Sequence, residues 1–455
     1  MDAEGKRFYK NLAVFVLPVA FQNLMSALVS ASDALMLGML EQDSMSAVSL
    51  AAQVQFILSL FYAALTIGAT ILAAQYWGKG DSDAVEMVLA IVLKYSITVS
   101  FLFFGAAVMF PSALMRIFTN DGRLAELGAV YLKSVSWSYL LGGISQIYLC
   151  IMKNSARVLK STLFSVASMA LNILLNAILI FGLLGAPKLG ISGAAIATVL
   201  ARGAELFLVG LENCRKNVIR IRWKYLVYPD RGLRRDFFGY TFPVLANELV
   251  WGCGFTMFSV IMGHLGSDAV AANSYASIMK NLIACLCLGI GSGSGIIVGN
   301  ELGGGNLKRA KAYGGKLCRL ALGCGAVSGA LLLLCSPVIN FFAENLTVQA
   351  QLYLRGMLFM CSYYMIAKSI NSTVVAGIFC AGGDTKFGFL CDLVTMWVII
   401  VPTGLLAAFV LKLPVLVVYF LLNLDELVKL PAVYLHYNKY GWVKNLTRER
   451  MEREE

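Results

Sequence analysis

Asp33 is the only ionisable side chain between Asn11 and Leu40, in the stretch NLAVFVLPVAFQNLMSALVSASDALMLGML. A carboxylate is costly to bury, and a proton or a neighbouring cation relieves that cost. Such a group can bind a coupling ion on one side of a barrier and release it on the other. The bland alternative is a hydrogen-bonding Asp near a wet helix end. Further charges lie in similarly apolar stretches: Glu248 in FPVLANELVWG, Lys280, and Lys368 three residues before Asn371. Glu248 is expected to pair with Lys280 or Lys368, either as a structural ion pair or as part of a second ion site. Arg202 and Glu205 are three apart, and Asp425 and Lys429 four apart, so each pair shares a helix face and reads as structural.

The surroundings of these charges are lipid. Hydrophobic residues make up 59% of the 455, charged residues 14%, and the mean hydropathy is +0.74. A soluble chain carries about 25% charged residues. Apolar runs long enough to cross a bilayer recur along the whole sequence, without the alternation of a membrane barrel. Twelve helical spans are expected, over 11–39, 46–77, 86–110, 124–152, 160–183, 190–213, 236–264, 269–302, 312–343, 350–378, 385–411 and 413–438. Span 1 exceeds a signal-peptide core and lacks a cleavage site after it, so it is expected to be retained.

The net charge of +11 is a topology signal, not a nucleic-acid footprint. With an even number of spans both termini share a side, and that side holds 24 Lys and Arg against 4 (Arg116, Arg123, Lys188 and Lys412) on the other. The positive-inside rule then puts the termini and the basic loop 214–235 in the cytoplasm, within reach of anionic lipid. Eleven cysteines form no C-x-x-C pair and sit mostly in apolar runs, as small core residues do. His264 and His436 stand near span ends without companion ligands, so no metal site beyond Na⁺ at Asp33 is expected. A Gly-rich phosphate loop with its Lys is absent, as is any nucleophile–His set. The chain reads as a non-enzyme without organic cofactor.

Loop 214–235 divides the spans six and six. Shifting the sequence by 225 residues aligns 18–81 with 243–306 without a gap, and 13 of 64 positions are identical, among them Pro18/Pro243, Gly38/Gly263, Asp43/Asp268, Gly68/Gly293 and Gly78/Gly303. Matched prolines, glycines and an aspartate are harder to obtain by chance than matched leucines, so a true repeat is expected. The organisation is a six-helix bundle over 1–213, a basic linker over 214–235, a second bundle over 236–440 and a charged, solvated tail over 441–455. Six spans per repeat is an even number, so both halves enter the membrane in one orientation, related by an axis along its normal. Transporters use this geometry to expose a cavity to alternate sides. Gly-rich stretches such as GIGSGSGIIVGNELGGG (289–305) permit close helix approach.

Several motifs carry a family resemblance over essentially the whole chain. LPVAFQNLMSALVSASDALMLG in span 1, ATILAAQYWGKGD at the end of span 2, ALNILLNAILIFGLLGAPKLGISGAAIAT across spans 5 and 6, and AGGDTK after span 10 resemble the multidrug and toxic compound extrusion family. The resemblance implies an all-α fold of twelve transmembrane helices in two six-helix bundles. It also implies a first-half cation site at Asp33, Asn172, Asn176 and Thr198, with Gln146 as the span-4 polar neighbour. Asn176 stands where the family has a second acid, which leaves one carboxylate. Some members use acids of spans 7 and 10 as well, which bears on Glu248, Lys280, Lys368 and Asn371. The function implied is an antiporter that exports amphipathic, often cationic organic compounds in exchange for H⁺ or Na⁺. A flippase for a lipid-linked oligosaccharide, with Lys280 and Lys368 holding pyrophosphate, is the alternative. The expected partners are small amphipathic molecules and membrane lipids, with no nucleic acid, and the expected form is a plasma-membrane monomer.

Overall fold

The structure, a computed structural model, describes residues 3–39, 42–216, 218–342 and 346–448. Helices dominate them. The first half is built from α1 (Ala3–Gly38), α2 (Gln42–Lys79), α3 (Ser82–Met109), the short α4 (Pro111–Phe118), α5 (Gly122–Val135), α6 (Trp137–Asn154), α7 (Val158–Phe181) and α8 (Gly190–Asn213). After the one-turn α9 (Trp223–Val227) come α10 (Arg231–Gly263), α11 (Ser267–Gly303), α12 (Leu307–Phe342), α13 (Val348–Asn371), α14 (Thr385–Leu393), α15 (Val401–Leu405), α16 (Val415–Leu422) and α17 (Asp425–Asn438).

Among the described residues nine helices are long and apolar enough to cross a membrane, and the pair α5–α6, bent by 45° at Ser136, makes a tenth. The expected spans 10 and 12 are present as helix but fall short of that standard. Span 10 carries Arg355 and Lys368, and span 12 is broken into α16 and α17 with Asp425, Glu426 and Lys429 just past the break. Lys368, Asp425, Glu426 and Lys429 are polar groups held for the interior of the fold rather than for lipid, and the break leaves neither piece of span 12 long enough to cross alone.

The chain divides into two compact units. One comprises Leu24–Ala73 and Asp81–Phe238, joined by Arg448. Its core gathers Leu58, Tyr62, Tyr131, Leu132, Val135, Ile180 and Ala195. Gly182, in a left-handed conformation at φ +74°, ends α7 and sends the chain back toward α8. Small residues then let α8 lie close against α7. A Cβ on Gly193 would stand 2.6 Å from the Leu179 carbonyl oxygen, Ala195 and Ala197 are fully buried, and the Ser168 hydroxyl donates to the Ala201 carbonyl at 2.8 Å. This close seam holds Asn172, Asn176 and Thr198 in register.

The basic linker is anchored to the same unit. The Arg220 N–H and the Arg222 guanidinium both reach the Glu86 carboxylate, at 3.0 and 2.5 Å, and the Tyr148 hydroxyl donates to the Ile219 carbonyl. Glu212, buried at the end of α8, accepts from Arg157 at 2.7 Å and Lys160 at 2.5 Å.

The second unit takes residues up to Asn23, Ala74–Gly80 and Gly239–Thr447, so the start of span 1 and the end of span 2 group with the second-half helices. The glycine run of α11 explains why. Cβ atoms on Gly289, Gly293 and Gly299 would press on Ala20, Val16 and Ala74, and the Gly303 position abuts the Gln75 carbonyl. Bare backbone at these positions admits the two first-half segments.

The expectation of a solvated tail fails at its beginning. Trp442 is fully buried and lies against Gly314, while the Gln75 amide donates to the Ala381 and Lys444 carbonyls and accepts from the Leu446 N–H. An indole brings more apolar area than the charged residues around it can keep in water.

Three second-half spans are irregular. Span 10 passes from α13 into π-helical turns over Ser372–Phe379. Span 11 has π-helical segments at Val394–Ile400 and Leu406–Val410, and span 12 breaks at Asn423–Leu424.

Candidate cation site

Asp33 lies near the end of α1, partly exposed, and accepts a hydrogen bond from the Asn176 side-chain amide at 2.6 Å. The other Asn176 amide hydrogen goes to Asn172 Oδ1 at 3.3 Å. Asn172 in turn donates to Thr198 Oγ1 at 3.4 Å, and Thr198 donates to the Ala194 carbonyl at 3.0 Å. Residues from spans 1, 5 and 6 thus form one continuous chain of hydrogen bonds. Asn172 and Asn176 are buried, at 7% and 1% exposure, so their amides are fixed largely by protein partners. Asn176 Oδ1 is sealed from solvent and has no partner among the described residues.

Four of the five residues named from the sequence are therefore brought together. Gln146 is the exception: it sits part-buried on α6 with no bond to Asp33 among the described residues, and its neighbour Ser145 instead donates to Glu205 at 3.0 Å. Glu205 also takes the expected ion pair from Arg202, at 2.7 Å. Tyr131 of α5, on the other side of the bend at Ser136, lies within electrostatic range of Asp33.

Among the described residues Asp33 accepts from one side-chain donor, the Asn176 amide. The carboxylate faces an amide N–H, Asn172 Oδ1 is engaged by Asn176, and position 176 carries an amide rather than a second acid. Such a group can gain and lose a proton without rearranging its neighbours. Binding a hard metal cation beside Asp33 would require the Asn176 amide to turn its oxygen toward the carboxylate.

The second-half residues are distributed differently from expectation. Lys368 binds Glu426 at 2.9 Å, and the Asn371 amide donates to the Glu426 carboxylate at 2.8 Å and to its backbone carbonyl at 2.7 Å. Glu248 has no cation within ion-pair distance among the described residues, although the charges of Asp392 and Lys368 reach it. Lys280 stands over the Tyr364 ring, 4.8 Å from its centroid. The expected pairing of Glu248 with Lys280 or Lys368 is thus replaced by pairing of Lys368 with Glu426. Nor do Asp425 and Lys429 pair: Lys429 binds Asp392 at 2.6 Å and approaches Glu426 at 3.7 Å. Glu426 and Asp392 went unnoticed in the sequence because their partners come from other spans and leave no local spacing to read.

Comparison with known proteins agrees with this architecture. The MatE family model matches twice, over 18–178 and 243–406, and the two matches begin 225 residues apart. The transporter YisQ of Bacillus subtilis is 24% identical over 449 residues, with 96% of each chain covered. The multidrug resistance protein NorM of Photobacterium profundum is 23% identical, over 88% of this chain and 87% of that one. Among solved structures, a multidrug resistance MATE family transporter in an outward-facing conformation superposes with a TM-score of 0.85 at 17% identity, covering 95% of both chains. A MOP superfamily transporter from Pyrococcus furiosus superposes with a TM-score of 0.86 at 18% identity, again covering 95% of both. With the family model matched in both halves of a two-lobed, all-helical membrane fold, this chain belongs to the MatE family.

Proposed function

We propose that the protein is a secondary antiporter that expels amphipathic organic compounds, many of them cationic, in exchange for protons taken up at Asp33. The observation that carries this reading is the bond from Asn176 to Asp33 at the head of the Asn172–Thr198 chain. An intramembrane carboxylate is expensive to keep, so one held in a dedicated polar network is a functional group by default. The relatives named as multidrug resistance proteins support the substrate class. The single acid supports H⁺ over Na⁺. We place the protein in the plasma membrane with both termini cytoplasmic, acting as a monomer with no cofactor beyond the coupling ion.

The flippase alternative loses one of its two candidate groups, because Lys368 is committed to Glu426, while Lys280 lies over the Tyr364 ring. Drug efflux from proteoliposomes under separately imposed pH and Na⁺ gradients tests the proposal. Efflux should follow the pH gradient and be abolished in Asp33→Asn while substrate binding persists. If Asp33→Asn transports as well as the parent under both gradients, Asp33 is structural and the coupling role is wrong.

A further inference from the structure

The second unit contains a buried charge network unrelated in sequence to the first. Lys368, Glu426, Lys429 and Asp392 form a continuous ion-paired chain, with contacts of 2.9, 3.7 and 2.6 Å. Two ammonium groups meet two carboxylates, so the chain is internally balanced. Asp425, the residue next to Glu426, stands outside it.

Asp425 is 4% exposed, and its Oδ1 is sealed from solvent without a hydrogen-bond partner. Among the described residues it has no cation within ion-pair distance. Although it opens α17, none of that helix's free N–H groups is bonded to it among the described residues. Asn371, 5% exposed and bonded to Glu426 through its amide hydrogens, likewise leaves its Oδ1 sealed and unpartnered.

This is also where the second-half helices are least regular. Span 12 breaks immediately before Asp425, span 10 turns π-helical immediately after Asn371, and span 11 does so two residues after Asp392. Broken and π-bulged membrane helices recur where ions and substrates bind.

We infer that Asp425 is a second proton-binding site, lodged within the second-half helices and separate from Asp33. An ionised carboxylate oxygen sealed from solvent without a donor is among the costliest groups a protein interior can hold. A proton cancels the charge and supplies the missing hydrogen at one step. The charges of Lys368, Lys429 and Lys280 all reach Asp425. They repel a metal cation and also favour the ionised carboxylate, and the burial of Oδ1 without a donor opposes that second effect. The remaining groups facing it are the carboxylate of Glu426 and the phenol of Tyr364. Glu426 is held by Lys368 and Asn371, so within the pair Asp425 is the member free to exchange a proton.

Infrared spectroscopy of the purified full-length protein in lipid, with carbon-13 in the aspartate side-chain carboxyls, tests this directly. In the Asp33→Asn background, a protonated-carboxyl band that moves with the label should grow on acidification to about pH 5.5, above the range in which ordinary aspartates, at about 3.9, take up protons. It should be lost in Asp33→Asn/Asp425→Asn and kept in Asp33→Asn/Asp392→Asn. Absence of a label-sensitive band in Asp33→Asn, which needs no change at Asp425, would overturn the assignment. So would its survival when Asp425 is replaced. The readout does not depend on transport, so a failure of the coupling role of Asp33 leaves it intact and distinguishable.

Discussion

The Asn176 amide donates to the Asp33 carboxylate at 2.6 Å, joining span 5 to span 1. Both amide hydrogens of Asn176 are in use, the second on Asn172. Asn176→Ala therefore removes a donor from Asp33 and from Asn172 together. A buried polar partner left unsatisfied costs about 1–3 kcal/mol, so the variant should unfold at a distinctly lower temperature in detergent. Asn172→Ala, whose bond to Thr198 is 3.4 Å long, should cost less. Equal losses in thermal unfolding would show that the network is not centred on Asn176.

The buried network of the second unit offers a larger effect. Lys368→Met leaves Glu426, 3% exposed, without its closest cation. Removing one partner of a buried ion pair costs roughly 3–5 kcal/mol. Combining it with Glu426→Gln should recover a good part of the loss, since the stranded charge goes as well. A double-mutant cycle in thermal stability reads the coupling, and strict additivity of the two changes would show that the pair does not interact.

What was legible in the sequence depended on how local its cause is. Spans were visible because lipid demands long apolar runs, and the repeat was visible because Pro18, Gly38 and Asp43 reappear at a fixed offset. Asp33, Asn172, Asn176 and Thr198 were legible because each lies within a recognisable motif. Gln146 has no bond to Asp33 among the described residues, and unlike the other four it sits in no recognisable motif. The second-half network was hidden more deeply. Asp425 and Lys429 have the spacing of a helical ion pair, yet Lys429 finds Asp392 on span 11 and Lys368 finds Glu426 on span 12. Pairing across spans depends on how irregular helices pack, and no local spacing encodes it.

Topology is testable with a native probe. Cys214 is exposed at the end of α8, at the start of the basic linker, in a chain whose positive charges favour a cytoplasmic linker. A membrane-impermeant maleimide should label Cys214 in inverted vesicles and leave it unlabelled in intact cells, with a Cys214→Ser control to assign the signal. Efficient labelling from outside intact cells would reverse the orientation.

Ion choice should be adjustable at one atom pair. Asn176 carries its amide where the resemblance to the family implies a second acid, and that amide gives Asp33 a donor instead of a competing charge. Asn176→Asp replaces the donor by a carboxylate oxygen beside Asp33. Two carboxylates in contact repel each other when both are ionised, so the pair gains from anything that sits between them. A proton shared by the two is one solution. A sodium ion is the other, now offered oxygens from Asp33, residue 176, Asn172 and Thr198, with an extra negative charge to compensate its dehydration. Asn176→Asp should therefore bind Na⁺ more tightly than the parent, read as radioactive sodium retained by purified protein, and should let an imposed Na⁺ gradient drive efflux. The same variant with Asp33→Asn keeps one acid and should fall back toward the parent's sodium affinity. If Asn176→Asp gains no sodium binding while remaining folded, the oxygens of this cluster do not converge on a cation, and charge count is not what sets the coupling ion here.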